Sequence, residues 1–159
     1  MRPLLPEDAA PAHGVLAESF RGTPYLQRAA EMLNSALLFE DPEYLCVLAE
    51  SSTGGAPLGL ALFGTVVGAR LAVKVHTVAS RDPRVMLALL GAVRATCVQS
   101  GERLVVCEIP RDTPFDVLAV ALVASGFREE GRIEDFVRDG VALRVMVWRP
   151  ERSDDASGP

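Results

Sequence analysis

The clearest periodicity in the chain lies between residues 71 and 97, where a two-residue alternation gives way to a helical one. Leu71, Val73, Val75, Thr77 and Ala79 alternate with Ala72, Lys74, His76 and Val78, the spacing of a largely buried strand. Met86, Leu89, Leu90, Val93 and Cys97 then recur on one helical face. Asp82 is a good N-cap and Pro83 suits the first helical position, where no backbone N–H is required, so the helix start is sharply specified. A strand that feeds a helix N-terminus is a common place to hold a phosphate. This junction, unusually, contains no glycine.

Upstream, the pattern predicts a short strand over 2–5 and a helix over 7–20 that turns Ala12, Val15, Leu16 and Phe20 inward. A second helix over 24–38 carries Tyr25, Leu26, Ala29, Met32, Leu33, Ala36 and Leu37 as its buried stripe, and Asp41-Pro42 ends it. Strands over 44–50, 57–65 and 69–79 follow, separated by Gly54-Gly55 and a turn near Gly68, and such direct turns make an antiparallel meander. The junction helix spans 82–100 and closes at Gly101, and the apolar run 104–109 returns as a strand. A strand, helix, strand series of this kind predicts a parallel pair joined by a right-handed crossover.

Thr113 reads as the cap of a further helix ending at Ser125-Gly126, with Pro114 at its first position and Asp116 three residues after the cap. Val117, Leu118, Val120, Ala121, Leu122 and Val123 predict that this helix is mostly buried. Residues 127–138 and 141–149 form a hairpin about Asp139-Gly140. The order βααβββαβαββ is that of an α/β fold with a mixed, mostly antiparallel sheet and flanking helices.

Composition narrows the picture. With 159 residues, 49% of them hydrophobic, the chain reads as one domain over 1–149, followed by a tail, 150–159, without apolar periodicity and expected to be disordered. A net charge of −5 without a basic cluster argues against a nucleic-acid partner. No apolar run approaches the ~20 residues of a membrane helix and the start lacks a leader pattern, which predicts a cytoplasmic protein with no membrane partner. Cys46, Cys97 and Cys107 show no C-x-x-C spacing and read as core residues in a reducing compartment. With His13 and His76 the sole histidines and no paired Cys, no metal site is predicted.

The opening R-P-L-L-P-E-D at 2–8, the V-H-T-V-A at 75–79 and the S-G-F at 125–127, in this order and spacing, resemble the GNAT superfamily of N-acetyltransferases over nearly all of 1–149. The resemblance implies a GNAT-like sheet in which the strands at 69–79 and 104–109 splay apart. It implies acetyl-CoA as cofactor in the gap, pantetheine pairing with the strand backbone at Thr77, Val78 and Ala79, and a small-molecule amine as acceptor. A homodimer is compatible with it. In the family, R/Q-x-x-G-x-G/A cradles the CoA pyrophosphate. Aligned on Arg81, that motif puts Arg84 and Met86 where both glycines belong, so the motif is absent.

Glycine lets a backbone approach phosphates closely and adopt positive φ, which Arg and Met do not readily do. The Asp82 carboxylate would also occupy first-turn N–H groups and set a negative charge where pyrophosphate should lie. Bonds to charged groups are worth roughly 1.5–3 kcal/mol each, so losing three weakens binding by about three orders of magnitude or more. Arg81 and Arg84 are the candidates to offset part of that loss through charge-assisted contacts.

Amine acetylation needs a base for the ammonium proton and often an acid for the leaving thiolate. Family members often carry that acid as a Tyr on the helix before the closing hairpin, at the position of Leu122 here. Tyr25 and Tyr44 lie in other elements. Glu108, a carboxylate within the apolar L-V-V-C-E-I-P, and His76, on a strand face with Lys74, are the candidate bases. Cys107 alternates with Glu108, so no Cys-His nucleophile pair follows. Asp41, Glu43, Glu129, Glu130, Glu134 and Asp135 are acidic residues that either line a cleft for a cationic amine or, the commoner case, are solvated charges in loops and the closing hairpin. Two functions stay open on this reading. One is an acyl-CoA-dependent N-acetyltransferase with an altered pyrophosphate site; the other is a catalytically degenerate GNAT-fold protein serving as a binding or dimerisation module.

Overall fold

A computed structural model of the chain describes residues 1–38, 44–51, 55–66, 69 and 71–150, with the side chains of Leu38 and Tyr44 left out, and structural statements below concern these residues. The tail from residue 151 and the Asp41-Pro42 stop lie outside them. The elements are β1 (Arg2–Pro3), α1 (Ala9–Phe20), α2 (Tyr25–Leu38), β2 (Tyr44–Ala49), β3 (Gly59–Thr65), β4 (Ala72–Ser80), α3 (Pro83–Gln99), β5 (Leu104–Pro110), α4 (Asp116–Ala124), β6 (Arg128–Arg138) and β7 (Val141–Trp148). Short 3₁₀ turns at Pro6–Asp8 and Thr113–Phe115 lead into α1 and α4. The order is the predicted βααβββαβαββ, and most ends fall within a few residues of the pattern-based limits.

One seven-stranded sheet runs β1-β2-β3-β4-β5-β7-β6. Every neighbouring pair is antiparallel except β4 and β5, which are parallel and joined through α3, as the strand, helix, strand series predicts. The sheet separates two apolar layers. Helices α3 and α4 bury Met86, Leu89, Leu90, Val93, Leu118 and Leu122 against Ala61, Phe63, Val75, Val105 and Cys107. On the other face α1 and α2 bury Leu16, Phe20, Ala29 and Leu33 against Cys46, Leu48, Leu60, Leu62 and Ala79.

The register of β3 against β4 corrects the simple alternation read from the sequence. Leu62 lies opposite Thr77 and Phe63 opposite Val75, so His76 is an extra residue in β4. Because side chains alternate with period two, one inserted residue exchanges the faces beyond it. Val73 and Val75 therefore pack under α3, whereas past the bulge it is Val78 that does so, and Ala79 turns to the α1 layer.

Two other expectations are overturned. Thr113 does not cap α4: Asp112, in extended backbone at φ −140° and ψ 148°, caps the 3₁₀ turn ahead of it, its side chain accepting from the Thr113 N–H, and Phe115 stands at the N-cap of α4 without a side-chain bond. Asp116 consequently begins α4 instead of closing a capping box. Nor is α4 mostly buried. Leu118, Ala119, Ala121 and Leu122 are, but Val117, Val120 and Val123 are 46, 70 and 58% exposed. Their spacing of three places them on the side of α4 turned away from α3 and the sheet.

The N-terminal strand is fixed by charge as well as by pairing. Arg2 holds Asp8 through two bonds of 2.5 and 2.7 Å, the Leu5 N–H donates to Asp8 Oδ2 at 2.8 Å, and Arg2 Nε reaches Glu50 at 3.0 Å. The bonds from Arg2, and then that from Leu5, hold the Asp8 carboxyl down at about 2. A folded-state value below the unfolded one, about 3.9, stabilises the fold above pH ~4, and this contribution is lost as pH falls from there through 2. Arg2→Ala should raise the midpoint of acid unfolding followed by circular dichroism; an unchanged midpoint would mean that the pair does not support the fold.

Candidate functional site

The inserted residue creates the site. Strands β4 and β5 pair from Ala72 opposite Leu104 to Val75 opposite Cys107 and no further, although β4 continues to Ser80 and β5 to Pro110. A bulge bends and twists its strand, and here it falls at the residue where pairing stops. Beyond Val75 the two strands separate, and His76 stands at the vertex of the split.

At that vertex Lys74 Nζ donates to Glu108 Oε2 at 2.7 Å, with both side chains about one-third exposed. His76 is half-buried, and burial, followed by the Lys74 charge, pushes its pKa below the ordinary 6.5 against the opposing pull of Glu108. Arg28 on α2 acts in the same direction as Lys74. The imidazole is therefore neutral at pH 7 and able to accept a proton. Both sequence candidates for a base are thus brought into one cluster with Lys74. Cys107 turns to the buried side, where burial pushes its thiol up to about 12, so it offers no thiolate.

The separated strands continue into a cleft of about 250 Å³ walled by Phe20, Val78, Ser80, Arg81, Met86 and Phe115. Near it β3 and α3 cross tightly: a Cβ on Gly59 would lie 2.8 Å from both the Ala79 carbonyl oxygen and Val85 Cγ1. At its far end Asp82 caps α3 as expected, its Oδ1 accepting the Arg84 N–H at 2.8 Å. Ser80 Oγ accepts the Asp82 N–H at 3.1 Å and donates to the Leu58 carbonyl at 2.8 Å. Arg81 turns to the end of α1, where its Nε and Nη2 donate to the Glu18 carbonyl at 3.2 and 3.1 Å. Arg84 is exposed on the first turn of α3.

These residues divide the fit to CoA in two. Past the split, the β5-facing side of β4 at Thr77, Val78 and Ala79 has no strand partner, which suits the extended amides of a pantetheine arm. The diphosphate end does not fit, because the Asp82 carboxylate takes the Arg84 N–H and sets a negative charge at the start of α3.

One cluster was not legible in the sequence. Tyr25 Oη donates to Asp112 Oδ2 at 2.8 Å, Arg138 Nη2 donates to the same oxygen at 2.8 Å, and Asp112 Oδ1 takes the Thr113 N–H at 3.0 Å. The Tyr25 ring meets Phe115 edge-on at 4.7 Å, and Phe115 lies 5.9 Å from Phe20. Burial and then the Asp112 contact raise the Tyr25 hydroxyl, while Tyr25 foremost lowers Asp112. Tyr25 therefore stands behind a wall of the cleft, in spite of its separate place in the chain. Of the acidic residues, four serve the hairpin, the commoner of the two readings: Glu129 pairs with Arg144, Glu130 with Arg149, Glu134 with Arg132, and Asp135 accepts the Gly140 N–H. Asp41 and Glu43 lie outside the described residues, and Leu122, at the position of the family's tyrosine, is fully buried.

No family model matches the sequence, and no curated protein matches it significantly. Solved structures do match in shape. A GNAT-family protein from Desulfovibrio desulfuricans superposes with a TM-score of 0.81 at 20% identity, covering 93% of this chain and 96% of its own. The aminoglycoside 6′-N-acetyltransferase of Enterococcus faecium gives 0.73 at 12% identity over 97% of this chain and 100% of its own. The Salmonella typhimurium protein yncA, solved with its cofactor acetyl-CoA, gives 0.72 at 15% identity over 99% and 97%. The chain has the GNAT fold, with the mixed sheet and the split between β4 and β5 that the sequence led us to expect.

The crossing at Gly59 gives a stability test. Gly59→Val should destabilise by about 1–3 kcal/mol through overpacking, lowering Tm by roughly 2–10 °C. Gly91→Ala, inside α3 with nothing within 4 Å of the new Cβ, should stabilise by about 0.5–1 kcal/mol. Thermal melts read both. A Gly59→Val protein as stable as wild type would mean that α3 does not bear on β3 as closely as described.

Proposed function

We propose that this chain is an N-acetyltransferase that moves an acyl group from a pantetheine thioester to a small amine. The observation that carries the reading is the end of β4–β5 pairing at Val75, with a half-buried, neutral histidine one residue beyond. The thioester enters as substrate along Thr77, Val78 and Ala79, and the acceptor approaches from the Lys74, Glu108 and α2 side. His76 takes the proton of the ammonium. The freed amine lone pair forms the C–N bond as the C–S bond breaks, the nitrogen then gives its second proton to solvent, and the departing thiolate takes one from solvent, since α4 supplies no tyrosine. Lys74 and Glu108 neutralise each other beside His76 and fix the charge around it. The similarity to the Enterococcus faecium enzyme supports a small amine as acceptor, and the acetyl-CoA of the Salmonella protein supports a pantetheine-borne donor.

A second reading, an interaction module without catalysis, is favoured by the exposed valine row of α4 and by Asp82 at the diphosphate end. Activity separates the two. Incubation with millimolar acetyl-CoA and a panel of polyamines, aminoglycosides and amino-acid amines should release thiol. His76→Ala should lower kcat by ~10²–10⁴ and remove an acidic limb of the pH profile lying below 6.5, the direction in which burial moves the imidazole. Thiol release that keeps both its rate and that limb in His76→Ala would remove the histidine from the chemistry, and no release with any amine would favour the module.

A further inference from the structure

We infer that the acyl donor of this chain is a thioester of 4′-phosphopantetheine without the nucleotide half of CoA, either free or attached to a carrier protein. The inference rests on the acyltransferase reading above and deepens it.

The two ends of the cleft make opposite demands. The pantetheine end is a split between strands, which recognises extended amides by adding them to the open side of β4. A diphosphate needs several N–H groups converging at a helix start, together with the positive end of the helix dipole. Over the first four positions of α3, Pro83 has no N–H, Arg84 N donates to Asp82 Oδ1 at 2.8 Å and Met86 N donates to Asp82 O at 3.1 Å, which leaves Val85 alone. Upstream, the Asp82 N–H is taken by Ser80 Oγ. The Asp82 carboxylate adds a negative charge at the place a diphosphate would require to be positive. Glycine's close approach is also missing, since Arg84 and Met86 stand at the two positions.

A single phosphate at the end of the pantetheine arm makes smaller demands. On a carrier protein it is a diester with one negative charge against Asp82, where a diphosphate bears two, and, free or carried, as the last group of the arm it can turn to the rim, where Arg81 and Arg84 are exposed. Arg81 uses Nε and Nη2 on Glu18, which leaves Nη1 to donate to a phosphate oxygen. A carrier protein would present the same group as a phosphodiester on a serine, with its own surface outside the cleft. The reaction balances as before: the acyl carbon passes from sulfur to nitrogen and the phosphopantetheine thiol leaves.

Calorimetry with CoA, 4′-phosphopantetheine and pantetheine as probes tests this on the full chain. CoA and 4′-phosphopantetheine should bind within about threefold of each other, and pantetheine about tenfold more weakly, because the phosphate is read and the nucleotide is not. Asp82→Gly should tighten CoA by about tenfold or more and leave 4′-phosphopantetheine nearly unchanged; Asp82→Asn, which keeps the cap and removes the charge, should move in the same direction. CoA binding that is about tenfold or more tighter than 4′-phosphopantetheine in the wild type would overturn the inference and leave the acyltransferase reading intact. Pantetheine binding as well as 4′-phosphopantetheine would overturn the role given to the phosphate. Failure of all three probes at millimolar concentration would sink both readings. Acetyl transfer from the free thioester and from an acetylated phosphopantetheinyl carrier protein then distinguishes the two sources, the better donor being the one with the higher kcat/KM.

Discussion

One extra residue in β4 organises this protein. His76 is the residue at which the register of β4 against β3 shifts by one, and because strand faces alternate, its insertion turns Val78 under α3 and Ala79 under α1, so both apolar layers depend on it. It also bends β4 at the residue where pairing with β5 ends. The device that completes the core thus also opens the cleft, and it sets a titratable side chain at the opening. Burial and Lys74 then bias that side chain toward its neutral form.

The far end of the cleft obeys a different constraint. Helix α3 starts with a side-chain cap and a proline, both of which secure the helix locally. The same choices use up the N–H groups and the positive field that an anion would need. Helix capping and diphosphate binding compete for one set of donors, and in this chain capping has them. That competition lies within a fold whose similar structures include acetyltransferases, which is why the fold alone does not fix the donor.

Much of the architecture was legible because each element carries its own signal. The Asp82-Pro83 start of α3, the stripe Met86, Leu89, Leu90, Val93, and the Asp139-Gly140 turn are local features, and the order of elements follows from them. The bulge was not legible: a strand with an extra residue reads as unbroken alternation, since Thr77 and Val78 are both buried and either parity fits. The exposed valines of α4 were misread because composition gives no direction when every side of a helix is apolar. The Tyr25–Asp112–Arg138 cluster joins α2, the loop after β5 and the end of β6, and contacts between such distant positions leave no periodicity in the sequence. His76 and Glu108 stood out as polar residues on apolar strands, and the structure sets both at one end of the strand pairing; what they do there rests on the proposed activity.

Amide hydrogen exchange along β4, resolved residue by residue by NMR, tests the central claim most directly. If His76 ends the pairing with β5, the β5-facing amides among residues 77–80 should exchange orders of magnitude faster than those of Val73 and Val75 in the free protein, and slow on addition of 4′-phosphopantetheine. Uniform protection from Ala72 to Ser80 without ligand would show that β4 and β5 stay paired and that the cleft on which this account stands does not open.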